Sequence, residues 1–172
     1  GDCANIEIAF HAASDWDASP HKLTQCRTDI LQGDIIICTM LFLEDHFVPV
    51  LPALRARRDH CDAMVCAMSA AEVTKLTRMG KFDMSAPASG PMAFLKKLRG
   101  KPEAKSEETG ARATAGAQQM KMLRMLPKIL RFIPGTAQDV RAYFLTLQYW
   151  LAGSQGNIDN MVRLLVERYA DG

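Results

Sequence analysis

Three short apolar runs, from Ile6 to Phe10, from Asp34 to Met40 and from Cys61 to Met68, are separated by longer stretches in which apolar residues recur every three or four positions. Runs of that length read as buried strands, and the intervening spacing reads as amphipathic helix. Ser19 and Pro20 supply an N-cap and a first helical residue for a helix with the stripe Leu23, Cys26, Ile30 and Leu31, which Gly33 stops. Asp45 is placed to cap a second helix whose inner face includes Phe47, Val50, Leu51 and Leu54. Pro49 falls near its first turn and Pro52 deep enough to bend it. Ser69-Ala70-Ala71-Glu72 spells a capping box for a third helix, with Gly80 to close it.

Strands separated by helices of this length cannot pair as hairpins, so the alternation predicts right-handed crossovers and a small, doubly wound, flavodoxin-like parallel sheet of the α/β class. Three strands make a small sheet. The expectation is therefore a further strand, with the chain starting inside a larger domain or trimmed at its ends. Residues 100–117 turn polar and small, which reads as a flexible loop. Helical spacing resumes at 118–133, 136–152 and 157–170. The second of these carries Val140, Phe144, Leu147 and Leu151, with Thr136 and Asp139 at its start and Gly153 at its end. The third carries Ile158, Met161, Val162, Leu165, Val166 and Tyr169. The organisation expected is an α/β sandwich over 1–99, the polar loop over 100–117 and a helical region over 118–172.

Composition changes this picture only by exclusion. With 21 basic and 19 acidic residues the net charge is +2, too small to point to nucleic acid. Cys3, Cys26, Cys38, Cys61 and Cys66 form no CxxC pair, and their odd number suits a reducing compartment, most of them as small buried hydrophobes. Neither a secretory leader nor an apolar run long enough to span a bilayer is present in the sequence, so a soluble, cytoplasmic protein is expected. The glycine-rich phosphate loops of nucleotide-binding folds are missing too, which assigns any ATP hydrolysis to another chain.

If the three strands are parallel, three polar groups converge just past their carboxyl ends. They are His11 to Asp17 with Trp16 among them, Glu44-Asp45-His46, and Ser69 to Glu72. Ligands of open α/β sheets collect at that edge. Imidazoles, carboxylates and an indole suit acid-base work or ion binding, yet the spacing matches no metal motif and no metal site is assigned. The plainer reading makes Asp45 a cap, Glu72 half of a capping box and His11 a satisfied histidine at the core's margin. On the helix over 118–133, Lys121, Arg124, Lys128 and Arg131 share one side and Met122, Leu126, Ile129 and Leu130 another. Such an edge suits an amphiphilic acid, or is simply a solvated face; Pro127 interrupts it.

Four segments also resemble the large, porphyrin-binding subunit of magnesium chelatase, of the cobaltochelatase large-subunit-like family. They are Met40 to His46, Lys75 to Gly80, Leu126 to Pro134, and Ala137 to Tyr143 continuing through Gln148 to Ser154. The resemblance covers nearly the whole chain in order, while members of that family are much longer, so it implies an amino-terminal fragment. It further implies a role in inserting Mg2+, the substrate ion, into protoporphyrin IX in chlorophyll and bacteriochlorophyll synthesis. An AAA+ ATPase subunit and a third subunit would be partners, with ATP bound on the former, in the cytoplasm of a photosynthetic bacterium. The fragment alone is expected to be inactive, with no assignable catalytic residue and no cofactor of its own. Candidates for lining a porphyrin or partner site are His11, Trp16, Glu44, Asp45, His46, Glu72, Lys128 and Arg131. The alternative is a non-catalytic, flavodoxin-like binding or docking module.

Overall fold

The computed structural model describes residues 6–86 and 136–170. Its framework is a four-stranded sheet in the order β1 (Ile35–Thr39), β2 (Ala63–Ala67), β3 (Arg78–Met79), β4 (Phe82–Asp83). β1 and β2 run parallel in the register Ile35 opposite Ala63 through Thr39 opposite Ala67. β2, β3 and β4 pair antiparallel. The chain is thus α/β as the alternation predicts, with a mixed sheet.

Helices cover both faces. On one, α1 (Pro20–Gln32), α2 (Glu44–Phe47), α3 (Leu51–Arg57) and α4 (Ala71–Thr74) enclose Ile36, Cys38, Met64 and Cys66 together with Trp16, Phe47, Leu54 and Val73. On the other, α5 (Thr136–Ala152) and α6 (Gln155–Tyr169) close over Ala63, Val65, Met79 and Phe82 through Val140, Tyr143, Met161 and Leu165. β2 is buried along its whole length because it is the strand covered on both sides. That explains its unbroken run of Ala, Met, Val and Cys, since a doubly covered strand has no solvent face to alternate with. α5 and α6 pack directly on the sheet. The described part of the helical region thus shares a core with the strands.

Several expectations hold closely and several are corrected. α1 begins at Pro20 and stops before Gly33, and α5 spans the residues 136–152 read from its spacing. The stripe of α5 is turned, however: Ala137, Val140 and Tyr143 are buried while Leu151 is exposed. Ile6 to Phe10 forms no strand; its apolar side chains lie exposed, up to 82 % for Phe10. An apolar run alone is not enough here, because no described strand supplies backbone partners. The helix read after residue 45 is two pieces, since Pro52 has no N–H to continue a first helix and instead opens α3 from within its first turn. Leu43, not Asp45, is the N-cap of α2. Ser69 does not complete a capping box. Its hydroxyl donates to Ala67 O at 3.0 Å and accepts from Leu41 N at 3.1 Å, so it joins two loops. Gly80 closes no helix either; with φ of 55° it turns β3 into β4. The helix expected over 118–133, the polar loop 100–117 and Cys3 lie outside the described residues.

Candidate functional site

The connections leaving β1 and β2 are tied to each other beyond the strands. Met40 N donates to Met68 O at 3.0 Å, and Ala70 N donates to Leu41 O at 2.9 Å. Met40 and Met68 occupy matching positions and both take the left-handed conformation, with φ of 62° and 48°. For a residue with a Cβ this costs roughly 1–2 kcal/mol, and strain of that kind gathers at functional edges. The turn it produces carries the chain outward, leaving Met40, Phe42, Leu43 and Val48 about half exposed beside the helix Glu44–Phe47. Phe47, the next inward position, is buried and anchors that helix to the core.

The same edge receives the segment that ends in the 3-10 turn Ala13–Asp15. α1 delivers its last residues to the start of β1, so its first turn lies at the carboxyl end of that strand. Trp16 packs in the same buried cluster as Phe47. The segments carrying His11, Trp16 and Glu44 to His46 therefore adjoin one edge, as does α4 with Glu72 through the Leu41–Ser69 and Leu41–Ala70 bonds. Glu44, Asp45 and Glu72 are exposed and His46 half-buried. Lys128 and Arg131 lie outside the described residues.

Within this edge His11 and Trp16 line a cavity of about 200 Å³, with Phe10, His21, Lys22 and Gln25. His11 Nε2 donates to Asp29 Oδ2 at 2.7 Å, and Gln25 donates to Asp29 Oδ1 at 2.8 Å. Lys22 Nζ reaches Asp15 Oδ2 at 2.6 Å. The indole N–H of Trp16 has no acceptor, the one buried side-chain polar atom so placed among the described residues. Glu44, Asp45, His46 and Glu72 do not line this cavity, so the expected convergence gives a common edge rather than one pocket.

Thiol chemistry is weak here. Cys26, Cys38, Cys61 and Cys66 are free and buried. Cys38 and Cys66 stand opposite each other across β1 and β2. The hydrogen bond to Cys38, followed by burial, pushes the Cys66 thiol well up, and burial followed by the neighbouring Cys38 pushes Cys26 up to about 11. Cys26 and Cys66 are thus protonated core residues, and the burial of all four is in keeping with the composition. Among the described residues no three His, Cys, Asp or Glu side chains are grouped to hold a metal ion, and no described helix is long and apolar enough to cross a membrane.

Sequence reasoning misses a polar node at the opposite end of the sheet. Asp139 is 8 % exposed and accepts from Lys81 N at 3.0 Å, Tyr169 Oη at 2.9 Å and Arg168 Nη2 at 3.2 Å. In the sequence it is only an acid in a helix's first turn. No local signal distinguishes the two, because the partners come from a hairpin and from the far end of another helix.

Residues 1–144 match the family model described as Domain of unknown function (DUF3479). Across 170 residues, 99 % of the chain, it is 48 % identical to the magnesium-chelatase H-subunit of Rhodobacter capsulatus, of which it covers 14 %. It is also 48 % identical to the Cereibacter sphaeroides protein of the same name, again covering 14 %. Against the chloroplastic magnesium-chelatase protein ChlH of Oryza sativa subsp. indica, identity is 31 % over 96 % of the chain and 11 % of the relative. The chain thus spans about one seventh of the length of the bacterial relatives.

Proposed function

This chain belongs to the DUF3479 family, and from that premise we propose that it is part of a porphyrin-handling subunit of magnesium chelatase, meeting protoporphyrin IX at the carboxyl edge of its sheet. The observation that carries the reading is the 48 % identity extending over 99 % of the chain to the Rhodobacter magnesium-chelatase protein. A shared fold alone would not carry it, because α/β sandwiches serve many functions. The setting that goes with it is the cytoplasm of a photosynthetic bacterium, with ATP hydrolysed on an AAA+ partner and a third subunit completing the assembly.

The chemistry of the edge supports the reading. A porphyrin is a flat apolar disc with carboxylates on its rim. Met40, Phe42, Leu43 and Val48 offer exposed apolar surface where the strained turn has lifted it, and His46 and Glu44 stand at its border. Burying such surface against a macrocycle is favourable by about 25 cal/mol for each Å². Metal insertion also requires pyrrole protons to be taken up and water to be stripped from Mg2+, which binds oxygen ligands and dehydrates reluctantly. Glu44, Asp45, His46, Glu72, Lys128 and Arg131 are the contacts proposed for porphyrin or partner, and none of them is assigned a catalytic role.

The test is titration of the purified chain with protoporphyrin IX, followed by the porphyrin absorption shift and by quenching of Trp16 and Trp150. Saturable binding in the micromolar range is expected. A well-folded chain that gives no absorption shift contradicts the proposal and leaves this region a docking element.

A further inference from the structure

Away from the carboxyl edge, the exposed large apolar side chains gather on one segment. Ile6, Ile8 and Phe10 are 52, 68 and 82 % exposed, whereas Leu31 and Leu151 stand singly on α1 and α5. All five residues from 6 to 10 are exposed and belong to no helix or strand. Yet they read Ile-Glu-Ile-Ala-Phe, with a large apolar residue at every second position, the period of a strand that has one face to bury. The segment has the side chains of a strand and no neighbour to pair with.

β1 is the complementary half. It ends the sheet, with β2 on one side and, among the described residues, no strand on the other. Along a strand the N–H and C=O groups turn alternately to either side, so β1 presents backbone donors and acceptors away from β2. Soluble proteins blunt such an edge with lysine, proline or a bulge. β1 reads Ile35-Ile36-Ile37-Cys38-Thr39 in unbroken register with β2, and it carries neither a charge nor a proline. Five residues of edge thus match the five of the exposed segment.

We propose that the chain pairs with a second copy of itself, the segment Ile6 to Phe10 of each adding as a strand to β1 of the other. Donor and acceptor lie on the same chain, so two copies satisfy both edges at once and the assembly closes with two-fold symmetry. The segment is rooted for such an exchange, because His11 directly after it is held to Asp29 of α1. The area suffices as well. An extended chain exposes about 1.45 Å² per dalton, roughly 800 Å² for these five residues, of which pairing along one side and packing of one face cover about half. Two exchanged segments and the two edges receiving them bury roughly 1,600 Å² in all, the size of a standard stable interface.

Sedimentation equilibrium of the purified chain over roughly 1 μM to 1 mM tests the exchange. The mass should rise with concentration from 19.0 kDa to twice that value. Amide hydrogen exchange should slow over the same range at residues 6–10 and in β1 together. Ile8→Lys puts a charge into the added strand at a position outside the core, and should weaken association at least about tenfold at unchanged unfolding temperature. Phe42→Ser with Leu43→Ser, at the carboxyl edge, should leave association intact. A monomer mass at every concentration overturns the proposal. So does a dimer that survives Ile8→Lys, a dimer that the carboxyl-edge variant dissolves, or a dimer in which β1 gains no protection. Growth past twice the chain mass overturns the closed exchange and makes the contact an open array.

Discussion

Thr77 has no exposed surface, and its hydroxyl takes the place of a strand partner for Cys66 just before β3 begins. Oγ1 donates to Cys66 O at 2.8 Å and accepts from Cys66 N at 3.0 Å. Thr77→Val keeps the shape, leaves Cys66 N unpaired in the core and leaves Cys66 O with only the 3.5 Å bond from Tyr143 Oη, so a loss of about 2 kcal/mol is expected in urea unfolding. A loss below about 0.5 kcal/mol would mean that the bonds are dispensable. Asp83 shows a different residue-scale effect. Burial by itself would raise its carboxyl, but hydrogen bonds from Arg58, at 2.5 Å, and from Ser85 outweigh it and hold the group at about 2 against an ordinary 3.8. The stabilisation is complete above the ordinary value and is lost as pH falls through the window between 3.8 and about 2. Asp83→Asn should cost about 1 kcal/mol near neutrality, since the pair is partly solvated, and should flatten the acid limb of stability in that window. Neither role is legible in the sequence, where Thr77 reads as the tail of a helix closed by Gly80 and Asp83 as a residue just past it, because Cys66 and Arg58 come from segments distant in the chain.

At the scale of elements, the joint between the β3–β4 turn and the ends of α5 and α6 is the most exacting. A Cβ on Gly80 would stand 2.8 Å from Asp139 Oδ2, and φ there is 55°. Gly80→Ala therefore combines a left-handed penalty of roughly 1 kcal/mol with displacement of a carboxylate that three donors hold. Asp139→Ala removes the acceptor and leaves Arg168 and Tyr169 facing each other, with an expected cost of about 3 kcal/mol. Burial also pushes the Tyr169 hydroxyl up, with Asp139 adding to the rise, so this hydroxyl stays a donor through the physiological range. If both variants melt like the parent in a thermal scan, the joint is not what fastens α5 and α6 to the sheet. The helices themselves are the most legible elements. Pro20, Gly33 and Gly153 mark ends by backbone chemistry that acts locally. Ser69 and Asp45 fail as caps because Ser69 finds a tertiary partner in Leu41 and because the chain enters α2 earlier, at Leu43.

At the scale of the whole molecule, a sheet covered on both faces leaves its carboxyl edge as the place where polar and apolar groups can meet a ligand. The sequence pattern leads to that edge, to the α/β class and to Glu44, Asp45, His46 and Glu72 near it, since the ends of β1 and β2 are visible in composition; His11 and Trp16 also adjoin it, though the strand expected before them does not form. It does not separate His11 and Trp16, which share a cavity, from the others, which do not. Nor does it reveal the exposed ridge of Met40, Phe42, Leu43 and Val48. That ridge exists because Met40 turns left-handed, a conformation nothing in its side chain announces. The ridge is also where the functional reading is most exposed to test. Protoporphyrin IX titrated into the parent chain and into the double variant Phe42→Ser with Leu43→Ser, two exposed positions whose change leaves the buried core alone, measures it directly. The expected result is saturable binding by the parent and at least about tenfold weaker binding by the variant at unchanged unfolding temperature. Equal affinity in the two chains would contradict the assignment of the porphyrin to this edge.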